Sequence, residues 1–131
     1  YLFLHMFGGS KNKYHSFDIV EAYNKYKMFV APEENIGLPS INFIEGMACG
    51  CAYLGLNSPM YQDLGFVDGA NYIAYDGTLD NLKEKIRYYQ NHEEDLSRIA
   101  QAGYEFVRKN FNKEKVIDDF LKEIFTKDDQ S

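Results

Sequence analysis

The 131 residues are 45% hydrophobic and 26% charged, the balance of one globular domain that buries roughly two thirds of its unfolded surface. A formal charge of −6 argues against a phosphate-backbone binder, so the 11 Tyr and 10 Phe read as core and rim rather than as base-stacking platforms. Cys49 and Cys51 are too close to form a disulfide framework and point to a reducing, cytoplasmic setting. No apolar run approaches the roughly 18 residues of a membrane span, and no signal segment opens the chain.

In chain order, "YLFLHMF" (1–7) reads as a buried strand stopped by Gly8-Gly9-Ser10. The chain opens straight into it without an initiator Met, as expected of a domain taken from a longer protein. "SFDIVEAYNKY" (16–26) has helical spacing, and "KMFVAP" (27–32) is a second short strand ended by Pro32. A short helix follows over 40–50, "SINFIEGMACG", with Ser40 as N-cap and Gly50 as its stop. "CAYLGLN" (51–57) is a third strand, and "NYIAYDG" (71–77) a fourth, entered through the turn Asp68-Gly69-Ala70-Asn71.

Three helices then follow over 78–92, 93–111 and 112–125, with a polar tail at 126–131. Their apolar stripes are Leu79, Leu82 and Ile86; Leu96, Ile99, Gly103 and Phe106; and Val116, Ile117, Phe120, Leu121, Ile124 and Phe125. Strands alternating with helices imply an α/β fold: a Rossmann-like, doubly wound parallel sheet with helices on both faces and helices at the C-terminal end. Ligands of such sheets bind beyond the carboxyl ends of the strands, where the loop after "KMFVAP" lies.

That loop feeds the helix over 40–50. At 100° per residue, Ile41, Phe43, Ile44, Met47 and Ala48 share one arc, which is expected to be core. Asn42, Glu45, Gly46 and Cys49 share the other, small and polar with one carboxylate. A mid-helix glycine costs about 1 kcal/mol against Ala, which suggests close approach of something at Gly46. The helix start suits phosphate. Glu45 lies about 7 Å further along the axis, within reach of a ribose diol.

"FVAPEENIGLPSINFIEGMACGCAYLGLN" resembles the donor-binding segment of GT-B fold glycosyltransferases of the group 1 family, whose motif ends in Glu, Ala-Met-Ala-Cys-Gly and an apolar strand. "EGMACG" (45–50) matches it closely, "DGAN" (68–71) resembles the turn that follows, and "FNKEKVIDDFL" the terminal helix. The similarity covers roughly residues 17–125. It implies that Glu45 holds the ribose hydroxyls and that Ser40, Ile41 and Asn42 meet the diphosphate.

The family's first Glu is not matched. Counting back from Glu45 reaches Gly37, so Gly37, Pro39 and Glu34 complete the expected donor-binding set, with Glu33 or Glu34 as the loop carboxylate. The resemblance further implies polysaccharide biosynthesis by retaining sugar transfer, without a metal or other cofactor. It implies a nucleotide-sugar donor and a separate N-terminal domain that binds the acceptor; no nucleic acid is expected, and no membrane contact is evident in this segment.

The alternative is a non-catalytic, degenerate module of the same fold acting as a partner subunit; a sugar-nucleotide epimerase also shares the fold. Cys49 and Cys51 lack the companions of a zinc site, and "GGSK" (8–11) lacks the spacing of a phosphate loop. Lys11 and Lys13 are the nearest counterparts of the family's basic pair, and His92 is expected in a turn.

Overall fold

A computed structural model describes residues 18–34 and 37–128. The strand and turn expected over 1–10, together with Lys11 and Lys13, lie outside the described residues. In order the elements are α1 (Ile19–Asn24), β1 (Met28–Val30), α2 (Asn42–Ala48), β2 (Ala52–Leu56), α3 (Pro59–Asp63), β3 (Ile73–Tyr75), α4 (Leu79–Gln90), α5 (Glu93–Asn110) and α6 (Lys113–Asp128).

The three strands form a parallel sheet in the order β1-β2-β3, with Phe29 opposite Tyr53 and Leu54 opposite Ile73. The fold is α/β and Rossmann-like. Among the described residues the strand order runs straight through without reversal. β2 is buried on both faces, as a parallel strand between helical layers must be.

Its alternation sorts the core. Tyr53 turns to the side of α2 and α3, where it joins Phe43, Met47, Tyr61, Phe66 and Tyr72. Ala52 and Leu54 turn to the other side and meet Ile73, Tyr89, Leu96 and Ile99 from β3, α4 and α5. The first layer is aromatic: the Tyr53 ring lies 5.1 Å from Phe29 and 6.0 Å from Phe43, and Tyr61 stacks on Tyr72 at 5.6 Å. The ring geometries are those that favour aromatic pairs.

Glycines make room for it. A Cβ at Gly46 would sit 2.6 Å from Phe29 Cε1, and one at Gly55 would strike the Tyr61 ring and stand 3.0 Å from Tyr53 Cε1. At Gly103 of α5 it would meet Met47 Cε at 2.7 Å and the Asn71 carbonyl at 2.8 Å.

The "DGAN" turn has a structural office. Asp68 accepts the Ala74 N–H at 2.8 Å, Asn71 accepts from Val67 N–H and donates to the Gly65 carbonyl, and Arg98 donates to the Gly69 carbonyl. Gly69 takes φ +70°, open to glycine at little cost. His92 sits between α4 and α5 with its ring stacked on Tyr88 at 3.9 Å.

Several expectations are corrected. α3 was not anticipated; Asp63 ends it. Leu79 is exposed at the start of α4, and Tyr89 takes the buried place. On α6 the stripe of Val116, Ile117, Phe120, Leu121 and Ile124 is exposed rather than packed, and the helix continues to Asp128, through the first residues of the expected tail. Among the described residues no helix is long and apolar enough to cross a membrane.

Candidate functional site

The carboxyl end of β1 leads through residues 31–34 and 37–41 to the start of α2, and that of β2 leads to α3. Ala31 is buried, and Glu33, three residues past β1, is half-buried. Glu34 is exposed and closes a tight turn: its N–H donates to the Leu38 carbonyl at 2.9 Å, and its own carbonyl accepts from Gly37 N–H at 2.8 Å. Gly37 needs φ +76° there, the left-handed region that a side chain resists.

Pro39 and Ser40 are buried, which fixes where the chain enters α2. Ser40 is not the N-cap. That position falls to Ile41, which has helical backbone angles and no capping side-chain bond. The Ser40 and Ile41 carbonyls accept from Phe43 and Ile44 N–H, while the amides of Ile41 and Asn42 find no backbone partner among the described residues.

The buried stripe of α2 is Phe43, Gly46 and Met47. The core therefore lies nearer Gly46 than the apolar spacing suggested: Ile41 is 73% exposed and Ala48 is exposed. Gly46 belongs to the packed face, and its notch is filled by the Phe29 ring rather than left for a ligand.

Glu45 falls opposite that stripe and is exposed. Its charge is felt by the half-buried Cys49, whose thiol is pushed up by burial first, then by Glu45 and Asp18. Cys51 is buried with its sulfur 3.0 Å from both the Tyr23 and Tyr26 carbonyls; burial, then the neighbouring Cys49, pushes it up to about 11. Both shifts lower the share of thiolate, the reactive form. Among the described residues no three His, Cys, Asp or Glu side chains come together as a metal group.

Of the expected donor-binding residues, Glu34, Gly37, Ile41, Asn42 and Glu45 are on the surface, and Pro39 and Ser40 support them from below.

One polar constellation has no local signature in the sequence. Tyr61 Oη donates to Glu33 Oε1 at 2.9 Å, and Tyr53 Oη lies 2.8 Å from Tyr61 Oη. A phenol has a single proton, so once Tyr61 donates to the carboxylate, Tyr53 must be the donor to Tyr61. The chain thus runs one way, from the core out to Glu33. Burial is the largest cause pushing Tyr53 up to about 12, and the Glu33 charge adds to it. Tyr61 is pushed further up, again first by burial. The alternation of Tyr53 and Gly55 in "CAYLGLN" could have put both on one face, but nothing in local spacing joins Tyr61 to a carboxylate 28 residues earlier.

The motif helix, the "DGAN" turn and the parallel sheet around them are the parts of the chain that carry its resemblance to glycosyltransferases. Comparison with protein families gives a match to the one described as glycosyl transferase-like over residues 6–122, and the chain belongs to that family. Neither a curated protein nor a solved structure matches the chain.

Proposed function

We propose that this domain is the donor-binding part of a glycosyltransferase that moves a sugar from a nucleotide sugar to an acceptor. In this reading Glu45 accepts hydrogen bonds from the two ribose hydroxyls, a charge-assisted pairing suited to a carboxylate facing away from the core. The diphosphate lies over Ile41 and Asn42, whose amides are not taken up by the backbone. Glu34 and Gly37 line the approach on the loop. Transfer retains configuration and needs no metal, the leaving diphosphate being met by backbone donors in fixed positions. The acceptor is held by a separate N-terminal domain, and the reaction runs in the cytoplasm, which the two packed thiols suit. Polysaccharide biosynthesis is the setting the family resemblance favours.

The observation that carries this reading is the exposure of Glu45, opposite the buried stripe of the helix that bears the family motif. Calorimetry with UDP, GDP and ADP tests it. One nucleotide is expected to bind, and Glu45→Ala to weaken it by roughly tenfold or more, as for a lost hydrogen bond to a charged group. Undiminished binding by the variant removes the ribose role.

A second reading, a non-catalytic partner module, is favoured by the exposed apolar stripe of α6. It predicts that no nucleotide binds and that Phe120→Asp abolishes self-association or capture of a partner.

A further inference from the structure

α6 runs over 16 residues, and from Asn112 to Ile124 not one residue is buried. Helices of this length draw most of their stability from an apolar face packed on a neighbour. Here Val116, Ile117, Phe120, Leu121 and Ile124 stand between 43% and 62% open to solvent. At helical spacing they form one strip on the order of several hundred Å², the size at which an exposed apolar patch marks an interaction site. Phe120, the most exposed of the five, lies at its middle.

The charges around the strip say what fits it. At 100° per residue, measured from the strip's centre line, Glu114 and Glu123 lie about 90° away on opposite sides. Asp118, on the side of Glu114, and Asp119, on the side of Glu123, lie about 130° away. Lys115 and Lys122 are about 170° round, on the back of the helix, and Lys115 pairs with Asp119 at 2.7 Å. Lys113 stands on the strip's line at its first turn. Both edges of the strip are therefore acidic.

Acidic edges decide among occupants. With a second copy packed on the strip, each acidic edge faces another whether the helices run parallel or antiparallel, and the like charges repel. An anionic lipid surface is repelled as well, since helices that lie on membranes are rich in Lys and Arg on the polar face. A helix with its own apolar stripe and basic flanks matches both the strip and its edges.

We propose that the α6 strip is the docking site for a basic amphipathic helix of a partner protein, seated on Phe120 and held in register by Glu114, Asp118, Asp119 and Glu123. The docking needs no bound nucleotide and stands apart from the reading above.

The probe is a synthetic helix of about 18 residues, with leucine along one face and lysine at its flanks. A second peptide keeps the leucines and replaces the lysines with glutamate. Fluorescence anisotropy of the labelled peptides against the full chain is expected to show roughly tenfold or more tighter binding of the lysine peptide, weakened by high salt. Phe120→Asp should lower that affinity by roughly tenfold or more at an unchanged unfolding temperature, because the ring is exposed. The double variant Asp118→Lys, Glu123→Lys takes one acid from each edge and should reverse the preference, so that the glutamate peptide binds better.

Equal affinity for the two peptides, no binding of either, or a preference that the reversal leaves in place overturns the proposal. So does a chain that sediments as a dimer and becomes a monomer with Phe120→Asp, which makes a second copy the occupant. Phe120-dependent binding to phosphatidylserine vesicles makes it a lipid surface and overturns the proposal too.

Discussion

The two faces of the sheet are packed by different chemistry. Under α4 and α5 the core is mostly aliphatic, Ala52, Leu54, Ile73, Leu96 and Ile99, with Tyr89 at its margin. Under α2 and α3 it is aromatic, and the ring-filled notches at Gly46 and Gly55 are on that side. An aliphatic layer asks only for volume. A layer of buried tyrosines also asks for hydrogen-bond partners, and these lie towards the carboxyl edge: Glu33 for Tyr61, and the Leu56 carbonyl for Tyr72 at 3.2 Å. The aromatic face therefore joins the core to the candidate site, while the aliphatic face only supports it.

The largest expected effect comes from breaking the aliphatic side. Leu54 is fully buried, and Leu54→Ala should cost about 2–5 kcal/mol in denaturant unfolding, from lost transfer energy and the cavity left behind. Nucleotide affinity per folded molecule should not change. A lowered affinity would show that the two faces are not separate in function. The aromatic side should respond in the opposite sense, to added rather than removed volume. Gly55→Ala pushes a methyl into the Tyr61 and Tyr53 rings and should cost about 1–3 kcal/mol as overpacking. The cost should shrink in a Tyr61→Leu background, because the residues are in contact and do not act additively. Strict additivity would mean that the ring is not what Gly55 accommodates.

Much of this fold is legible locally. "KMFVAP" and "CAYLGLN" are apolar runs with clear stops, and the strands and the helices after residue 78 follow from them and from helical periodicity. α3 escapes because five residues are too few for a period, although Ser58-Pro59 is a common helix opening. On α2 Phe43, Ile44 and Met47 pack as the spacing indicates, but Gly46 joins them, and glycine adds nothing to an apolar pattern. Gly46 proves to be core only when Phe29, from another element, is found in its notch. The α6 stripe shows the opposite limit, since periodicity tells what is fit to be buried and not what covers it. The exposure of Glu45 follows from the helical period, whereas the Tyr53-Tyr61-Glu33 chain is assembled from separate parts of the chain and exists only in the folded state.

The smallest effect, absent at neutral pH, concerns those phenols. Tyr53 is held at about 12 in the folded chain, mainly by burial, against an ordinary value of 10.0. A folded-state value above the unfolded one means that the stability it carries is whole below pH 10 and is lost as the unfolded chain ionises between pH 10 and 12. Tyr61 and Tyr72, also raised by burial, act in the same sense. Unfolding free energy should fall across that window, and the share of tyrosinate absorbance that belongs to these three buried phenols should rise in step with unfolding rather than ahead of it. Tyr53→Phe removes one of these groups and should flatten the alkaline limb, at a cost of about 0.5–1.5 kcal/mol below pH 10 for the hydrogen bond lost to Tyr61. The same substitution takes away the donor behind Tyr61 without touching Glu33. An unchanged alkaline limb would show that Tyr53 gives up its proton as readily in the folded chain as in the unfolded one, and that burial on the aromatic face does not hold it.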